Sequence, residues 1–303
     1  MQEVRRSQLN AMPALFVAAC VLPGLFFVFL FLIYPLFSAA IMSFTNAATI
    51  AVGGWRFIGI ANYVRMFTND IHFNTALRNT LHFMAIVPVV TIFLALFFAF
   101  ALTQIKLKER AVYRVLFFFP SVVSSVVIAV VFSAIFDPRR GGPLNTALAV
   151  FGVDPVPWLG SPTFAIWALT IVMIWSAVGY FMVLLIAAID SIGRDIFEAA
   201  DIDGATGATK LFRITVPMLI DNIGVVYILS LSGTFGASFV LGNVMTSFGP
   251  GTATLPLLGH MFRSGFGASS FGYAMAIAVF SLLMALALAY ISRKLTYRSE
   301  SLY

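Results

Sequence analysis

Long stretches without a charged residue are the feature that most constrains this chain. A membrane-spanning helix needs about 20 consecutive, mostly apolar residues, and each of these stretches is long enough to hold one. No Asp, Glu, Lys or Arg occurs in 7–55, 79–105, 115–136, 155–189, 222–262 and 264–292. We therefore predict an all-α integral membrane protein. Its six transmembrane helices are expected at roughly 13–42, 80–104, 114–136, 164–189, 218–241 and 270–292.

The overall composition agrees with this class. Charged residues make up 10% of the chain and hydrophobic residues 61%, whereas a soluble domain carries about 25% charge. The sequence predicts one membrane domain, 13–292, between an N-terminal tail at 1–12 and a C-terminal tail at 293–303. The lone Cys20 lies within the first predicted helix and has no partner for a disulfide within the chain.

The basic residues are divided unevenly between the two sides of the membrane. With six spans both termini lie on one side, and that side holds twelve of the 18 Lys and Arg residues against six on the other. Basic residues concentrate on the cytoplasmic side of membrane proteins. We therefore expect both termini and the connection 190–217 in the cytoplasm. The net charge of +6 reflects this anchoring, and nothing in it indicates nucleic-acid binding.

The connection 190–217 is more structured than an anchoring loop requires. Its Phe-Glu-Ala-Ala run at 197–200 favours a helix with a low-profile face, and Gly204 permits a sharp turn because glycine adopts positive φ readily. Asp203 or Thr206 can cap a following helix. The pattern predicts a short helix, a turn and a second helix at the membrane surface, although composition alone also fits an ordinary amphipathic loop.

The same connection resembles the cytoplasmic EAA loop of binding-protein-dependent ABC import permeases. The family pattern is Glu-Ala-Ala, three residues, Gly-Ala and, about ten residues on, Ile-x-x-Pro, and every position is matched here. In that family the loop converts ATP hydrolysis by a separate subunit into movement of the membrane helices. The resemblance assigns this coupling role to Glu198, Ala199, Ala200, Asp203, Gly204, Ala205 and Pro217.

Weaker matches extend the resemblance along nearly the whole chain. They include Tyr34-Pro35, Phe119-Pro120, Trp158-Leu159-Gly160 and Gly249-Pro250. In this order they are similar to carbohydrate permeases related to the larger membrane subunit of the maltose importer and to the glycerol-3-phosphate importer. The resemblance implies a type I ABC importer permease fold and a bacterial or archaeal cell (inner) membrane.

The resemblance also implies a set of partners besides membrane lipid. These are a second, similar permease that completes a heterodimer, two cytoplasmic ATPase subunits and an external solute-binding protein. No cofactor is expected on this chain itself. ATP and Mg are expected on the ATPase subunits, since the sequence has no G-x-x-x-x-G-K-[ST] loop to hold a phosphate.

A polar but uncharged face indicates where a solute could pass. Ser176 and Tyr180 are four residues apart, as are Ser230 and Thr234, so each pair shares a helix face. Hydroxyls and aromatic rings suit a sugar, although small and hydroxyl residues also form helix-packing surfaces in membranes. Alignment with the maltose subunit places its sugar-contacting positions at Ser176, Ala177, Tyr180, Ser230, Thr234 and Ala237. Thr234 and Ala237 lack the amides of that subunit, so the same sugar is not implied.

Two alternatives remain open at this level. The first is an ABC permease for another solute, such as a phosphodiester or a peptide. The second is an ion-coupled secondary transporter, which the sequence supports less well because the deep parts of the predicted spans carry no acidic or basic residue for a proton relay. The three His residues are far apart in the sequence and we see no metal-binding spacing and no nucleophile–base pair, so we predict a transport subunit and no enzyme.

Overall fold

The computed structural model describes residues 14–48, 54–104, 109–138 and 142–297. These residues are helical throughout, apart from turns, connecting loops and one isolated bridge between Thr45 and Phe57. The predicted tail at 1–12 lies outside them. The helices are α1 (Ala14–Val28), α2 (Tyr34–Met42), α3 (Ala61–Thr68), α4 (Ile71–Gln104), α5 (Arg110–Val122), α6 (Ser125–Ile135), α7 (Pro143–Ala149), α8 (Pro162–Asp190), α9 (Arg194–Ile202), α10 (Gly207–Thr209), α11 (Val216–Met218), α12 (Ile220–Thr246), α13 (Leu257–Phe262) and α14 (Phe271–Tyr297). Single π-helical turns join some of them, at Phe29–Ile33, Lys210–Thr215 and Arg263–Gly267.

Five helical segments within the described residues are long and apolar enough to cross a membrane. The sixth crossing is the pair α5 and α6, which are bent by 97° relative to each other. The prediction of one continuous helix over 114–136 is therefore wrong. Pro120 lies near the end of α5 and offers no backbone N–H to the helix. Val123 and Ser124 then adopt extended conformations, with ψ of 137° and 133°.

Two predicted boundaries also move. Helix α4 begins at Ile71 and not near 80, because the Asp70 carboxylate accepts hydrogen bonds from the backbone N–H groups of His72 and Phe73 at 2.9 and 3.1 Å. A capping carboxylate of this kind satisfies N–H groups that have no partner inside the helix. Helix α14 continues to Tyr297, so the predicted tail 293–303 begins inside this helix, and 298–303 lie outside the described residues.

The core is built around α4, α8 and α12. Helix α8 packs along α4 and also contacts α5 and α12, while α14 packs against α12, α13 and α2. The long helices α4 and α8 are half buried along their most apolar windows. At one end the buried residues include Leu185, Ile189 and Leu219; farther along they include Leu169 and Leu241. This arrangement buries Ser230 and Thr234 of α12 between the helices.

The first crossing stands apart from this core. None of the most apolar window of Phe16–Met42 is buried, and its exposed side chains are apolar, including Phe16, Phe27 and Phe31. Within the described residues it is held toward its C-terminal end, where α2 packs against α14 and the Asn62 amide donates to the carbonyl oxygens of Ser43 and Thr45, both at 2.8 Å. An apolar surface of this size is compatible with lipid or with another membrane subunit.

Candidate functional site

All six residues predicted to line a solute path border one cavity. The cavity has a volume of about 300 Å³ and lies where the break between α5 and α6 faces α8 and α12. From α8 it receives Ser176, Ala177 and Tyr180, and from α12 it receives Ser230, Thr234 and Ala237. The structure thus brings together two helix faces that are some fifty residues apart in the sequence.

The α8 side of the cavity carries an available phenol. The Ser176 hydroxyl donates to the carbonyl oxygen of Met173 at 3.0 Å, which is a local helix bond. The Tyr180 side chain is 45% exposed, and within the described residues its hydroxyl makes no hydrogen bond. Because a phenol is both donor and acceptor, Tyr180 can bind a hydroxyl-bearing ligand without first breaking a bond within this chain.

The α12 side is more deeply buried. Ser230 and Thr234 are 2% and 4% exposed. The Thr234 hydroxyl donates to the Ser230 carbonyl oxygen at 2.8 Å, so its proton is committed to the helix while its lone pairs can still accept. Gly233 also lines the cavity and adds no side chain there, which leaves space beside the two hydroxyls.

The broken third crossing adds polar groups that the sequence analysis missed. Ser121 and Ser125 flank the break and line the cavity together with Pro120. The Ser121 hydroxyl donates to the Phe118 carbonyl oxygen at 2.7 Å. A signal was present, since a proline followed by Ser121, Ser124 and Ser125 inside an apolar run favours an interruption of the helix.

The cavity is polar without being charged. Among the described residues that line it there is no Asp, Glu, Lys, Arg or His; the polar groups are hydroxyls, and the remaining contacts come from apolar side chains such as Phe181, Leu229 and Met173. A neutral lining of this kind avoids the large cost of burying an unpaired charge. It is suited to a neutral solute with hydroxyl groups and an apolar ring face.

The connection 190–217 folds as a helix, a turn and a second helical segment, as predicted. Helix α9 ends in a hydrogen-bond pattern known as a Schellman motif. The Gly204 N–H donates to the Asp201 carbonyl oxygen at 3.1 Å, and the Ala205 N–H donates to the Ala200 carbonyl oxygen at 2.9 Å. Gly204 has φ of +73°, the left-handed conformation that this position requires. Asp203 is the last residue before this turn.

The two faces of α9 have different surroundings. Phe197 and Ala200 are buried at 9% and 7% exposure, and Phe197 packs in the same cluster as Leu185 and Ile189 of α8. Glu198 and Ala199 are exposed. The helix is thus fixed to the membrane domain by one face and presents the Glu-Ala dipeptide on the other.

The second half of the connection is tied back to α9. Lys210 is 8% exposed, and its ammonium group forms an ion pair with the Asp201 carboxylate. The Thr206 hydroxyl accepts from the Thr209 N–H at 3.3 Å, so Thr206 is the cap of the second segment and Asp203 is not. Pro217 lies in the short helix α11, one turn before α12 begins. The result is a compact hairpin between α8 and α12.

The start of α5 and the end of α8 are joined next to this hairpin. The Asp190 carboxylate lies 3.4 Å from an Arg110 guanidinium nitrogen and 3.9 Å from one of Arg114. All three side chains are between 36% and 52% exposed, so each pair stabilises the fold by no more than about 1 kcal/mol. The position of these ion pairs matters more than their energy. Asp190 is the last residue of α8 and Arg110 the first of α5, so the pairs connect the two helices where both adjoin the hairpin.

Comparison with known proteins places the chain among membrane transport components. Residues 91–297 match the family described as "Binding-protein-dependent transport system inner membrane component". The diacetylchitobiose uptake system permease protein NgcF of Streptomyces coelicolor is 34% identical over 236 residues, which cover 74% of this chain and 66% of that protein. The arabinooligosaccharides transport system permease protein AraP of Bacillus subtilis is 30% identical over 292 residues, covering 95% and 89%.

A solved structure shares the fold. One chain in the crystal structure of a bacterial alginate ABC transporter, in complex with an alginate pentasaccharide-bound periplasmic protein, superimposes with a TM-score of 0.82. The match covers 98% of the present chain and 96% of that chain, at 22% identity. The present chain therefore shares its fold with a chain of that ABC transporter.

Proposed function

The chain belongs to the binding-protein-dependent transport system inner membrane component family, and on that premise we propose that it forms half of an ATP-driven import pathway for a sugar, oligosaccharide or polyol derivative. Family membership makes the chain a multi-pass permease subunit and decides against an independent ion-coupled carrier. The sugar class is supported by relatives named for diacetylchitobiose and arabinooligosaccharide uptake. It is supported independently by the uncharged, hydroxyl-lined cavity.

The cavity between α5, α6, α8 and α12 is the single observation that carries this proposal. Six positions predicted from the sequence converge there, and Tyr180 offers a hydroxyl that no group in the described chain uses. Sugars combine hydroxyl groups with an apolar ring face, so a pocket of hydroxyls and aromatic rings matches both. A phosphodiester or a peptide with charged side chains would enter this cavity without a counter-charge from the present subunit.

The remaining parts of the transporter are proposed from the family. A second, similar permease would complete the pathway, and a solute-binding protein would deliver the solute from outside. Two ATPase subunits would bind ATP and Mg on the cytoplasmic side, where we also place both termini and the hairpin 190–217. The protein would then lie in a bacterial or archaeal cell (inner) membrane, with loops such as 142–161 on the outer side.

The hairpin is suited to transmit force to the cavity. Its exposed Glu198 is available to an ATPase, while Phe197 and Leu211 are packed against residues of α8. From Asp190 to Tyr180 the helix is continuous, and ten residues of α-helix span roughly 15 Å. A displacement of the hairpin would therefore move the α8 wall of the cavity as a rigid element, which is the basis of the alternating access that we propose.

Two substitutions in the hairpin test this function. We expect Glu198→Lys to abolish transport and solute-stimulated ATP hydrolysis, because losing one partner of an interfacial ion pair costs about 2–5 kcal/mol. Gly204→Val should do the same, since a β-branched residue is strained at φ of +73°. Stimulation of the reconstituted complex by binding protein and solute is the measurement.

A matched variant separates conformation from side-chain bulk. A Cβ at Gly204 would meet nothing within 4 Å, so the expected defect of Gly204→Val comes from backbone strain. Asparagine tolerates the left-handed region, and Gly204→Asn should retain more stimulation than Gly204→Val. Membrane insertion should survive in all three variants. Normal stimulation in both Glu198→Lys and Gly204→Val would mean that the hairpin is not the coupling element.

A further inference from the structure

A second cavity, at the opposite end of the molecule from the hairpin, has a very different lining. It has a volume of about 500 Å³ and lies between the α3–α4 junction, α13 with its π-helical turn, and the start of α14. It shares no lining residue with the cavity between α5, α6, α8 and α12, which we call the solute cavity. Its charged and titratable residues are Arg65, Asp70, His72, His260, Arg263 and Tyr273.

The Asp70 carboxylate connects α4, α13 and α14 within this second cavity. We call this cavity the outer cavity, because the proposed topology puts it on the outer side of the membrane. The carboxylate accepts a hydrogen bond from His260 Nε2 at 2.7 Å and another from the Tyr273 hydroxyl. These partners lie 190 and 203 residues away in the sequence. An ionised carboxylate can only accept, so His260 must carry its proton on Nε2. The same carboxylate caps α4 through His72 and Phe73, so its oxygens are engaged within the chain.

The protonation states follow from these contacts. Burial by itself would raise the pKa of the Asp70 carboxyl, but the hydrogen bonds from Tyr273 and His260 outweigh it and hold that pKa below its usual value. Burial lowers the pKa of His260, although Asp70 opposes the shift. At neutral pH the cavity therefore contains a carboxylate and a neutral imidazole at this network.

Among the described residues, Arg65 and Arg263 of this cavity have no carboxylate partner. The Arg65 guanidinium lies 4.4 Å from the centre of the Tyr273 ring. Arg263 donates to the Ser247 carbonyl oxygen at 2.7 Å and lies 5.0 Å from the Phe248 ring centre. Among the described residues, neither guanidinium forms an ion pair with a carboxylate, and both side chains are exposed. With Asp70 counted, the described lining of the cavity carries an excess positive charge, since it contains two arginines and one carboxylate.

We propose that this outer cavity is the docking site for a carboxylate side chain of the solute-binding protein. The inference rests on the proposed function, which supplies that partner on the outer side. Two exposed guanidinium groups that have no carboxylate partner among the described residues form a receptor for a carboxylate in this cavity, and arginine binds carboxylates bidentately. The closed network of Asp70, His260 and Tyr273 forms a fixed wall beside them.

The solute itself does not fit this role. The neutral solute cavity indicates an uncharged solute, whereas the outer cavity has surplus positive charge, and no residue belongs to both. The cationic groups lie on connecting segments, since Arg65 is in α3 and Arg263 follows α13. Both segments lie outside the apolar spans, where a protein partner rather than the hydrocarbon region is accessible.

The test measures binding of the solute-binding protein to the whole transporter. The complex is placed in nanodiscs of phosphatidylcholine, and its partner is the binding protein that stimulates wild-type ATP hydrolysis. Exposed charges at an interface act mainly on the association rate and its salt dependence. We expect Arg65→Gln/Arg263→Gln to slow association about tenfold or more at low ionic strength and to flatten its dependence on NaCl. Arg56→Gln, an exposed arginine outside the cavity, should change neither.

A charge exchange identifies the partner group. Arg263→Glu should block binding, and replacing one carboxylate on the docking face of the binding protein by lysine should restore it. The inference is overturned if the double glutamine variant binds with the wild-type rate and salt dependence. It is also overturned if the variant loses transport with unchanged binding, or if its defect appears only in nanodiscs with anionic lipid, which would indicate a lipid phosphate. Failure of any binding protein to stimulate the wild-type complex would instead contradict the proposed function.

Discussion

The Cα atom of Gly179 on α8 packs directly against the main chain of Phe117 on α5. A Cβ at position 179 would lie 1.7 Å from the Phe117 carbonyl oxygen and 2.8 Å from the Phe118 Cα. These are backbone atoms, so they cannot rotate away as a side chain would. This contact holds α5 against α8 one residue away from Tyr180, and it brings Ser121 to the edge of the solute cavity.

Gly179→Ala should therefore destabilise the membrane domain. Overpacking of this kind costs about 1–3 kcal/mol and displaces backbone, so we expect a lower thermal midpoint of the purified complex and reduced transport. Gly236→Ala on α12 is the matched control, because a Cβ there would meet nothing within 4 Å. Equal thermal midpoints for the two variants would show that α5 and α8 are not held by this contact.

Tyr180→Ala and Thr234→Leu should impair uptake while assembly with the ATPase stays intact. A solute hydroxyl left without its hydrogen-bond partner in the cavity costs roughly 1–3 kcal/mol, and leucine at 234 would also occupy space in a cavity of about 300 Å³. Tyr180→Phe separates the contribution of the hydroxyl from that of the ring. Solute uptake by proteoliposomes at several solute concentrations is the measurement.

The control for these two variants is Ser133→Ala. Ser133 on α6 makes the same type of local bond as Thr234, to the Ala129 carbonyl oxygen at 2.7 Å, but it does not line the cavity. Its uptake should equal that of the wild type. If Tyr180→Ala and Thr234→Leu also transport with wild-type rate and affinity, the cavity is not the solute path.

Asp201→Asn should weaken the hairpin more than Lys210→Met does. Removing the carboxylate leaves the ammonium of Lys210, whose side chain is 10% exposed, without its partner, and an unpaired buried charge is costly. Removing the lysine leaves Asp201, 66% exposed, in water. Hydrogen exchange of the backbone amides of 197–202 in the reconstituted complex reports the difference. Equal protection in the two single variants would contradict this asymmetry.

Labelling of single cysteines tests the orientation. In a Cys20→Ser background, a cysteine at Ser161 should react in intact cells with a maleimide that cannot cross the membrane. A cysteine at Ser191 should stay unlabelled, because the distribution of Lys and Arg predicts that the hairpin lies on the cytoplasmic side. Labelling at Ser191 without labelling at Ser161 would show that the orientation is opposite to the one we propose.

The structure could be predicted from local sequence patterns wherever the contacts that determine it are close in sequence. The hairpin is such a case, because the Schellman bonds of Gly204 and Ala205 reach back only to Asp201 and Ala200. The shared helix faces of Ser176 with Tyr180, and of Ser230 with Thr234, follow from the four-residue spacing alone. The start of α4 was misplaced although its cap is local, because the boundary was drawn at the charge of Arg78 and not at Asp70.

The amino-acid sequence by itself determined the membrane class, the number of crossings and the hairpin. Each of these depends on uncharged runs or turn residues whose effect is local, so no contact between distant parts of the chain is needed to predict it. Only the tertiary structure decided that the third crossing breaks by 97° and that Gly179 receives the Phe117 backbone. It also decided that Asp70 meets residues 190 and 203 positions away. The reason is that the proline and the serines that follow it favour an interruption of the helix without fixing its angle, and packing against α8 and α12 decides that angle.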